Sequence, residues 1–447
     1  MNDGAAFTAE LREDIAALIF KNNEPLPVFT PGTTPVPVSG KVTGNPERAC
    51  MVEAALDGKL TGGRFNELFE ASLARFLGVE HVVTVNSGSS ANLVALSALS
   101  AREWGKRAVQ PGDEVITTAA GFPTTIAPIL QVGATPVFVD VDPSTWNTTA
   151  QHIRAAVSGR TGAVILAHTL GMPFDAEEIA AVCREYDLRL IEDCCDALGA
   201  RSNGRLAGTF GHAGTLSFYP AHHITTGEGG AVFTDDAELA RLARAFRDWG
   251  RHCRCAPAQD NACGRRFSGR YGDLPEGYDH KYVYMYAGYN MKMTDMAAAC
   301  GVAQMERLPG FIRARRENYA RLRDVLQHCR FLRLPELPDN AEPSWFGFPV
   351  LLADDAPLSR LELLKELDAR KIGVRLLFAG NAVRQPFMQG RTYRVSGNLA
   401  GTDMLTERAF WLGVWPGLTP EMLRYVAESL VCLLDGKSRS IPKTCRA

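Results

Sequence analysis

The chain has 447 residues, 46% of them hydrophobic and 22% charged, the balance of a soluble globular protein with enough apolar material for more than one core. Its 48 Lys and Arg against 50 Asp and Glu leave a formal charge of −2, which excludes the bulk basic field used to hold nucleic acid or an anionic membrane. No apolar run approaches the length of about 18 residues that a membrane-spanning helix needs.

Residues 1–45 are expected to form an N-terminal arm. Its start, MNDGAAFTAELREDIAALIF, carries acids inside its apolar stretch and reads as an amphipathic helix, not a signal peptide. With no secretion signal, 11 cysteines, an odd number, point to reduced thiols in the cytoplasm and not to a disulfide scaffold. Residues 46–303 read as a large domain. Strand-like runs recur in HVVTVNS (81–87), DEVITTA (113–119), TPVFVDV (135–141), GAVILAH (162–168), LRLIEDC (188–194), GTLSFYP (214–220) and GAVFT (230–234). Amphipathic segments such as ANLVALSALSAREWG and AEEIAAVCREYD separate several of them. Near-continuous apolar strands alternating with helices predict an α/β fold with a mainly parallel central sheet covered on both faces.

Residues 250–295, rich in Gly, Tyr, Arg and Cys, interrupt this pattern and read as a long functional loop region, with a cysteine-bearing loop at 250–270. A helix beginning near 304 then leads into WFGFPVLL, LSRLELLKELDARK, GVRLLF and a terminal helix near 419–435, predicting a smaller C-terminal α+β domain over 304–447.

Three places on the large domain carry candidate chemistry. The run Asn86–Asn92 lies between a strand and a helix. Its small residues let backbone N–H groups close on a phosphate, although a plain strand-to-helix turn reads the same way. Asp193 ends an apolar strand, where open α/β sheets bind ligands. A buried carboxylate there needs a cation or strong donor, such as a protonated pyridine nitrogen. The segment from Ser217 to Gly230 offers a hydroxyl, two imidazoles (His222 and His223) and a Gly-rich turn. Finally, Cys195, Cys253, Cys255 and Cys263 follow the pattern C-x57-C-x-C-x7-C, with Cys194 an alternative first member. Four thiolates from two chain regions can hold a 2Fe–2S cluster or a structural zinc, and spacing alone leaves both open beside plain unliganded thiols.

Taken together, these segments resemble the DegT/DnrJ/EryC1/StrS family of sugar aminotransferases, of the fold-type I pyridoxal-phosphate superfamily. The resemblance covers about residues 30–435 through LTGGRFNELFEASLARFLG, SGSSAN, DEVITTAAGFPTT, PVFVDVD, IEDCCDALGA, SFYPAHHITTGEGG and GYNMKMTD. It implies an aspartate aminotransferase-like fold in which the large domain binds the cofactor. Gly88, Ser89 and Ser217 would meet the cofactor phosphate, Phe122 the ring face and Asp193 the pyridine nitrogen. Asp196, where many members have Gln, would meet the ring hydroxyl. Asn290 would reach the neighbouring subunit's phosphate, so a homodimer is implied.

One position departs from the family. Its aminotransferases carry a Lys that forms a Schiff base with the cofactor, and position 222 is His. Imidazole forms no such stable linkage, but an ordinary pKa near 6.5 suits a general base. The cofactor is then expected as noncovalent pyridoxamine phosphate and the reaction as dehydration next to a ketone, with His223 the other candidate base. The cysteine spacing together with this His resembles one branch of the family, the iron–sulfur, pyridoxamine-phosphate-dependent hexulose 3-dehydrases, also through EDCCDALG, RDWGR and GYDHKY. That branch implies a 2Fe–2S cluster on the four cysteines and a CDP- or dTDP-linked 4-keto-6-deoxyhexose substrate. It also implies a flavin/iron–sulfur reductase as electron donor, which Arg251, Arg254, Arg265 and Arg266 could help to receive. An ordinary aminotransferase, a zinc-stabilised dehydratase and a non-catalytic cluster protein are the competing readings.

Overall fold

The computed structural model describes residues 14, 15, 17, 18, 28–253, 255 and 261–436, so most of the arm and Arg254 lie outside the described residues. The seven predicted apolar runs all become strands: β1 (His81–Val85), β2 (Glu114–Thr118), β3 (Thr135–Val139), β4 (Thr161–Ala167), β5 (Arg189–Asp193), β8 (Ala213–Ser217) and β9 (Gly230–Thr234), with the two-residue strands β6 (Arg201–Ser202) and β7 (Arg205–Leu206) between β5 and β8. Beyond them come β10 (Leu332–Arg333), β11 (Ala341–Glu342), β12 (Gly347–Leu352), β13 (Val374–Arg375), β14 (Arg394–Val395) and β15 (Ala409–Gly413). The central sheet has the order β1-β9-β8-β5-β4-β2-β3-β14. It is parallel from β8 to β14, as the apolar pattern predicts, while β9 runs antiparallel to both β8 and β1. The cause is the connection 218–229, which contains no helix to carry the chain back across the sheet. Residue 222 therefore sits in a loop that closes two central strands.

Helices cover the sheet: α1 (Asn45–Leu56), α2 (Arg64–Leu77), α3 (Gly88–Leu99), α4 (Pro123–Gln131), α5 (Ala150–Ala156), α6 (Ala176–Glu185) and α7 (Ala237–Arg247). Helix α3 is buried along almost its whole length, which explains why its sequence is apolar on nearly every side. Its N-cap is Ser87, whose hydroxyl accepts the Ser90 amide at 3.1 Å.

Helix α8 (Asp295–Leu326) starts nine residues before the sequence reading placed it. Thr294 caps it, and Asp295 in its first turn is fully buried, accepting hydrogen bonds from the amides of Gly63 and Asn66 at 2.9 Å each. These partners lie some 230 residues away in sequence, so no local pattern reveals them. The first half of α8 packs in the large-domain core with Phe69 and Phe218, through Ala298, Leu308 and Phe311. Its last turns enter a second core with Phe348, Phe410 and Leu430, through Tyr319, Leu322 and Leu326. That second core is built on the sheet β10-β12-β15-β13 with α9 (Arg360–Ala369) and α11 (Pro420–Leu434), while α10 (Ala400–Arg408) lies between the two sheets' ends. The run GVRLLF gives only the two-residue strand β13, because Phe378 (φ 44°) and Gly380 (φ 59°) turn the chain away.

The β14 edge is fixed by Glu114, whose carboxylate accepts from Arg394 at 2.7 and 3.1 Å, from Arg160 at 2.8 Å and from Ser158 at 2.7 Å. The Arg394 bonds, opposed by burial, hold this carboxyl down at about 2. Its ordinary value is 4.5, so its contribution is complete above about pH 4.5 and disappears as pH falls through about 2. Glu114→Gln should lower stability at pH 7 by about 1.5–3 kcal/mol, the scale of bonds to charged groups, with a smaller deficit at pH 3; urea midpoints at the two pH values check this.

Candidate active site

A cleft of about 750 Å³ opens at the C-terminal ends of the parallel strands. Its floor is Asp193, at the end of β5. The Asp193 carboxylate accepts from Asn92 Nδ2 and Thr125 Oγ1 at 2.8 Å each and from the Cys195 amide at 3.1 Å. Asn92 is itself oriented by Thr215, whose hydroxyl donates to its Oδ1 at 2.6 Å. This buried carboxylate thus has its donors supplied from α3, α4 and its own loop, and one edge faces the cleft.

At one end of the cleft lies the N-terminus of α3, and Gly88, Ser89 and Ser217 all line the cleft. A Cβ on Gly88 would sit 2.5 Å from Ser217 Cβ and 2.9 Å from Cys195 Sγ, so only glycine lets the helix end approach β8 this closely. Ser89 and Thr124 share a hydroxyl hydrogen bond of 2.9 Å on the rim. Phe122, half exposed, presents its ring to the cleft and touches Phe378 edge-on at 5.7 Å.

His222 forms part of the wall. Its Nδ1 lies 3.6 Å from Asp196 Oδ1, and its ring packs 5.0 Å from that of Phe346. His223 is not among the residues lining this cleft: it is buried and its Nε2 donates to the Ser344 carbonyl at 3.0 Å. The loop is held by Arg315 of α8. This fully buried guanidinium donates to the carbonyls of Ala221 and His222 at 3.1 and 2.9 Å and to those of Trp345 and Phe346 at 3.2 Å each. Burial first, and then the Arg315 charge, push the His222 pKa down to about 3, far below the ordinary value near 6.5 expected from its residue type. Burial and then the Asp193 charge push the Asp196 carboxyl well up. Burial thus favours the neutral form of both groups.

The cysteines divide. Cys194 is buried in the core, with Gly208 and Phe233 crowding its side, and Cys195 lines the cleft. Cys253 and Cys255 bring their sulfurs and a ring nitrogen of His280 within 4.8 Å of one another. Cys263 Sγ lies 3.5 Å from His280 Nε2. Cys195 is not in the 4.8 Å group. Thiolate and imidazole are soft donors suited to iron–sulfur centres or zinc, so this set fits a metal centre of that kind. Of the arginines beside it, Arg266 is paired with Asp279 at 2.8 Å and Arg251 lies over the Trp249 ring at 4.8 Å. Asn290 is exposed, outside the cleft, and accepts from Lys292 at 2.7 Å.

Residues 43–431 match the model of the DegT/DnrJ/EryC1/StrS aminotransferase family. The chain belongs to that family. It is 55% identical over 422 residues to the lipopolysaccharide biosynthesis protein RfbH of Salmonella typhimurium, covering 94% of this chain and 97% of that one. It is 49% identical over 404 residues, 90% of this chain and 87% of the relative, to dTDP-4-dehydro-2,6-dideoxy-D-glucose 3-dehydratase of Saccharopolyspora spinosa. Among solved structures, a variant of GDP-4-keto-6-deoxymannose-3-dehydratase with bound GDP-perosamine superposes with a TM-score of 0.79 at 29% identity, over 88% of this chain and 99% of that one. The Escherichia coli GDP-4-keto-6-deoxy-D-mannose-3-dehydratase with bound hydrated PLP gives 0.79 at 28% identity, over 88% of this chain and 98% of that one.

The family's cofactor fits the residues present. An anchored carboxylate, an aromatic face and a glycine cradle at a helix N-terminus lie along one cleft. Three residues escape a reading of the sequence. Arg315 is one arginine among several in RARR, Thr125 is an ordinary helix threonine, and His280 lies in GYDHKY, a segment whose resemblance marks it without assigning it a role.

The buried imidazoles generate a pH prediction. Burial lowers His212 to about 4 and His222 to about 3. A folded-state pKa below the unfolded one means that the unfolded chain binds more protons, so stability falls as pH drops from about 6.5 toward these values. Nitrogen-15 NMR of histidine-labelled, cofactor-free protein should show both rings neutral at pH 5.5. His222→Asn should flatten part of the fall in urea midpoint between pH 6.5 and pH 4.5.

Proposed function

We propose that this family member removes the C3 hydroxyl of a nucleotide-linked 4-keto-6-deoxyhexose, using pyridoxamine phosphate. With electrons relayed by a 2Fe–2S cluster from a flavin/iron–sulfur reductase, it then completes 3-deoxygenation in 3,6-dideoxyhexose or related deoxysugar synthesis. The observation that carries this reading is an imidazole, His222, on the cleft wall at the family's lysine position, with no lysine among the described residues that line the cleft. When bound, the cofactor supplies an amine for the substrate ketone and an acidic aminomethyl carbon. Asp193 would pair with its ring nitrogen, Phe122 would cover a ring face, and Gly88, Ser89 and Ser217 would hold the phosphate. Asp196 would meet the ring hydroxyl. His222 would take the proton from the aminomethyl carbon at its imidazole and hand it to the departing C3 hydroxyl, which leaves as water.

The relatives named as 3-dehydratases act, by name, on dTDP- and GDP-linked sugars, and a CDP- or dTDP-linked 4-keto-6-deoxyhexose is the substrate proposed here. The four cluster thiolates are assigned to Cys195, Cys253, Cys255 and Cys263. This needs Cys195, on the cleft wall, to complete the set formed by the loop cysteines, and places the cluster beside the cofactor. A homodimer is part of the proposal, with Asn290, exposed and outside its own cleft, reaching the phosphate site of a second copy. A cytoplasmic setting, where thiols stay reduced, belongs to the same proposal.

Two experiments test the reading. His222→Asn should keep the fold and bind pyridoxamine phosphate while losing dehydration by about 10²–10⁴-fold, the scale of a lost general base; solvent exchange of the aminomethyl proton at the wild-type rate would refute it. Cys255→Ser should bleach the brown colour of oxygen-protected protein and abolish 3-deoxy product. Incorporation of labelled solvent oxygen at C3 should persist, because dehydration needs no electrons.

A further inference from the structure

We infer that His280 belongs to the metal centre as a hydrogen-bond donor, its Nε2–H directed at the cluster thiolates, foremost that of Cys263. The inference rests on the proposed cluster and assigns a residue that neither the spacing nor the resemblance supplies. His280 is 7% exposed, its Nε2 lies 3.5 Å from Cys263 Sγ, and its ligand atom shares the 4.8 Å group with the sulfurs of Cys253 and Cys255. Three of the four assigned thiols thus converge on one imidazole.

The ring is held there by the backbone around it. His280 opens a single 3₁₀ turn (His280–Tyr282) capped by Asp279, whose Oδ1 accepts the Lys281 amide at 3.0 Å. Asp279 also accepts from Arg266 Nε at 2.9 Å, and the His280 amide donates to the Arg266 carbonyl at 3.0 Å. Arg266 lies three residues after Cys263, so these bonds tie the cysteine's own segment to the histidine's. On the other side, the His252 amide donates to the Val283 carbonyl at 2.8 Å, placing the residue before Cys253 against the same turn.

With Cys195 taken as the fourth ligand, counting coordination positions assigns the role. Two tetrahedral irons bridged by two sulfides have four positions left, and four thiolates fill them. A fifth donor has no vacancy, so the remaining interaction for a ring N–H near thiolate sulfur is donation. Each such bond draws negative charge off the sulfur and favours the reduced, more negative cluster, raising its potential.

The test uses oxygen-protected holoenzyme, with iron and sulfide analysis, electron paramagnetic resonance of the reduced cluster and a redox titration. His280→Phe keeps a ring of similar size without the donor, and His280→Gln returns an N–H. The expected result is full iron and sulfide content in both. The His280→Phe potential should move to a more negative value with an altered resonance, and His280→Gln should recover toward wild type. An iron-loaded His280→Phe with wild-type potential and resonance would overturn this inference alone. Loss of iron from both variants would also overturn the donor role, and a cluster retained by Cys195→Ser would then make His280 a ligand in place of Cys195. A colourless, zinc-bearing wild type would instead overturn the proposed function, and the inference with it.

Discussion

The site is organised around one buried carboxylate. Removing an ionised aspartate from water costs several kcal/mol unless donors replace the lost hydration. Asp193 is given them by Asn92 of α3, Thr125 of α4 and the Cys195 amide. Because Asn92 is oriented in turn by Thr215 of β8, one network joins two strands and two helix N-terminal turns at the point where the parallel strands end. The glycine cradle, the aromatic face and the loop bearing His222 are all placed relative to these same elements. A shift of any one would leave a buried polar group without its partner, so the network fixes the cleft's geometry as well as its charge.

A second buried charge fixes the loop. Arg315 has no carboxylate within salt-bridge distance among the described residues, and four backbone carbonyls surround it instead. Its pKa is lowered to about 9 by burial. It joins the two packed cores, since α8 carries it, the loop between β8 and β9 supplies two acceptors and the entry to β12 supplies two more. Burial chiefly disfavours protonation of His222, and the same positive charge adds to it, so the group that sets the loop also biases the imidazole toward its basic form.

Much of this was legible in the sequence, for physical reasons that differ by element. Buried parallel strands must be apolar on both faces, so all seven runs from His81 to Thr234 could be read directly, and Asp193 stood out as a charge ending one of them. Phe122 was legible only as a member of a resemblance, and Gly88 and Ser217 stood out only weakly without it, because small residues at a strand-to-helix turn are common without a ligand. The direction of β9 was not legible, since pairing depends on the connection and not on the strand's composition. Arg315 and Asp295 were hidden for another reason: a charged residue in a helix ordinarily faces water, and only distant backbone partners reveal otherwise. The depressed pKa of His222 likewise comes from neighbours that no spacing rule brings together.

The way Arg315 grips its loop has a consequence for residue 222. All of its bonds there go to carbonyl oxygens, which every amino acid possesses. The scaffold therefore specifies where the Cα of residue 222 stands while leaving its side chain unspecified, like a tool holder indifferent to the tool. Exchanging the side chain at position 222 would leave both of these loop bonds in place, because neither acceptor belongs to a side chain.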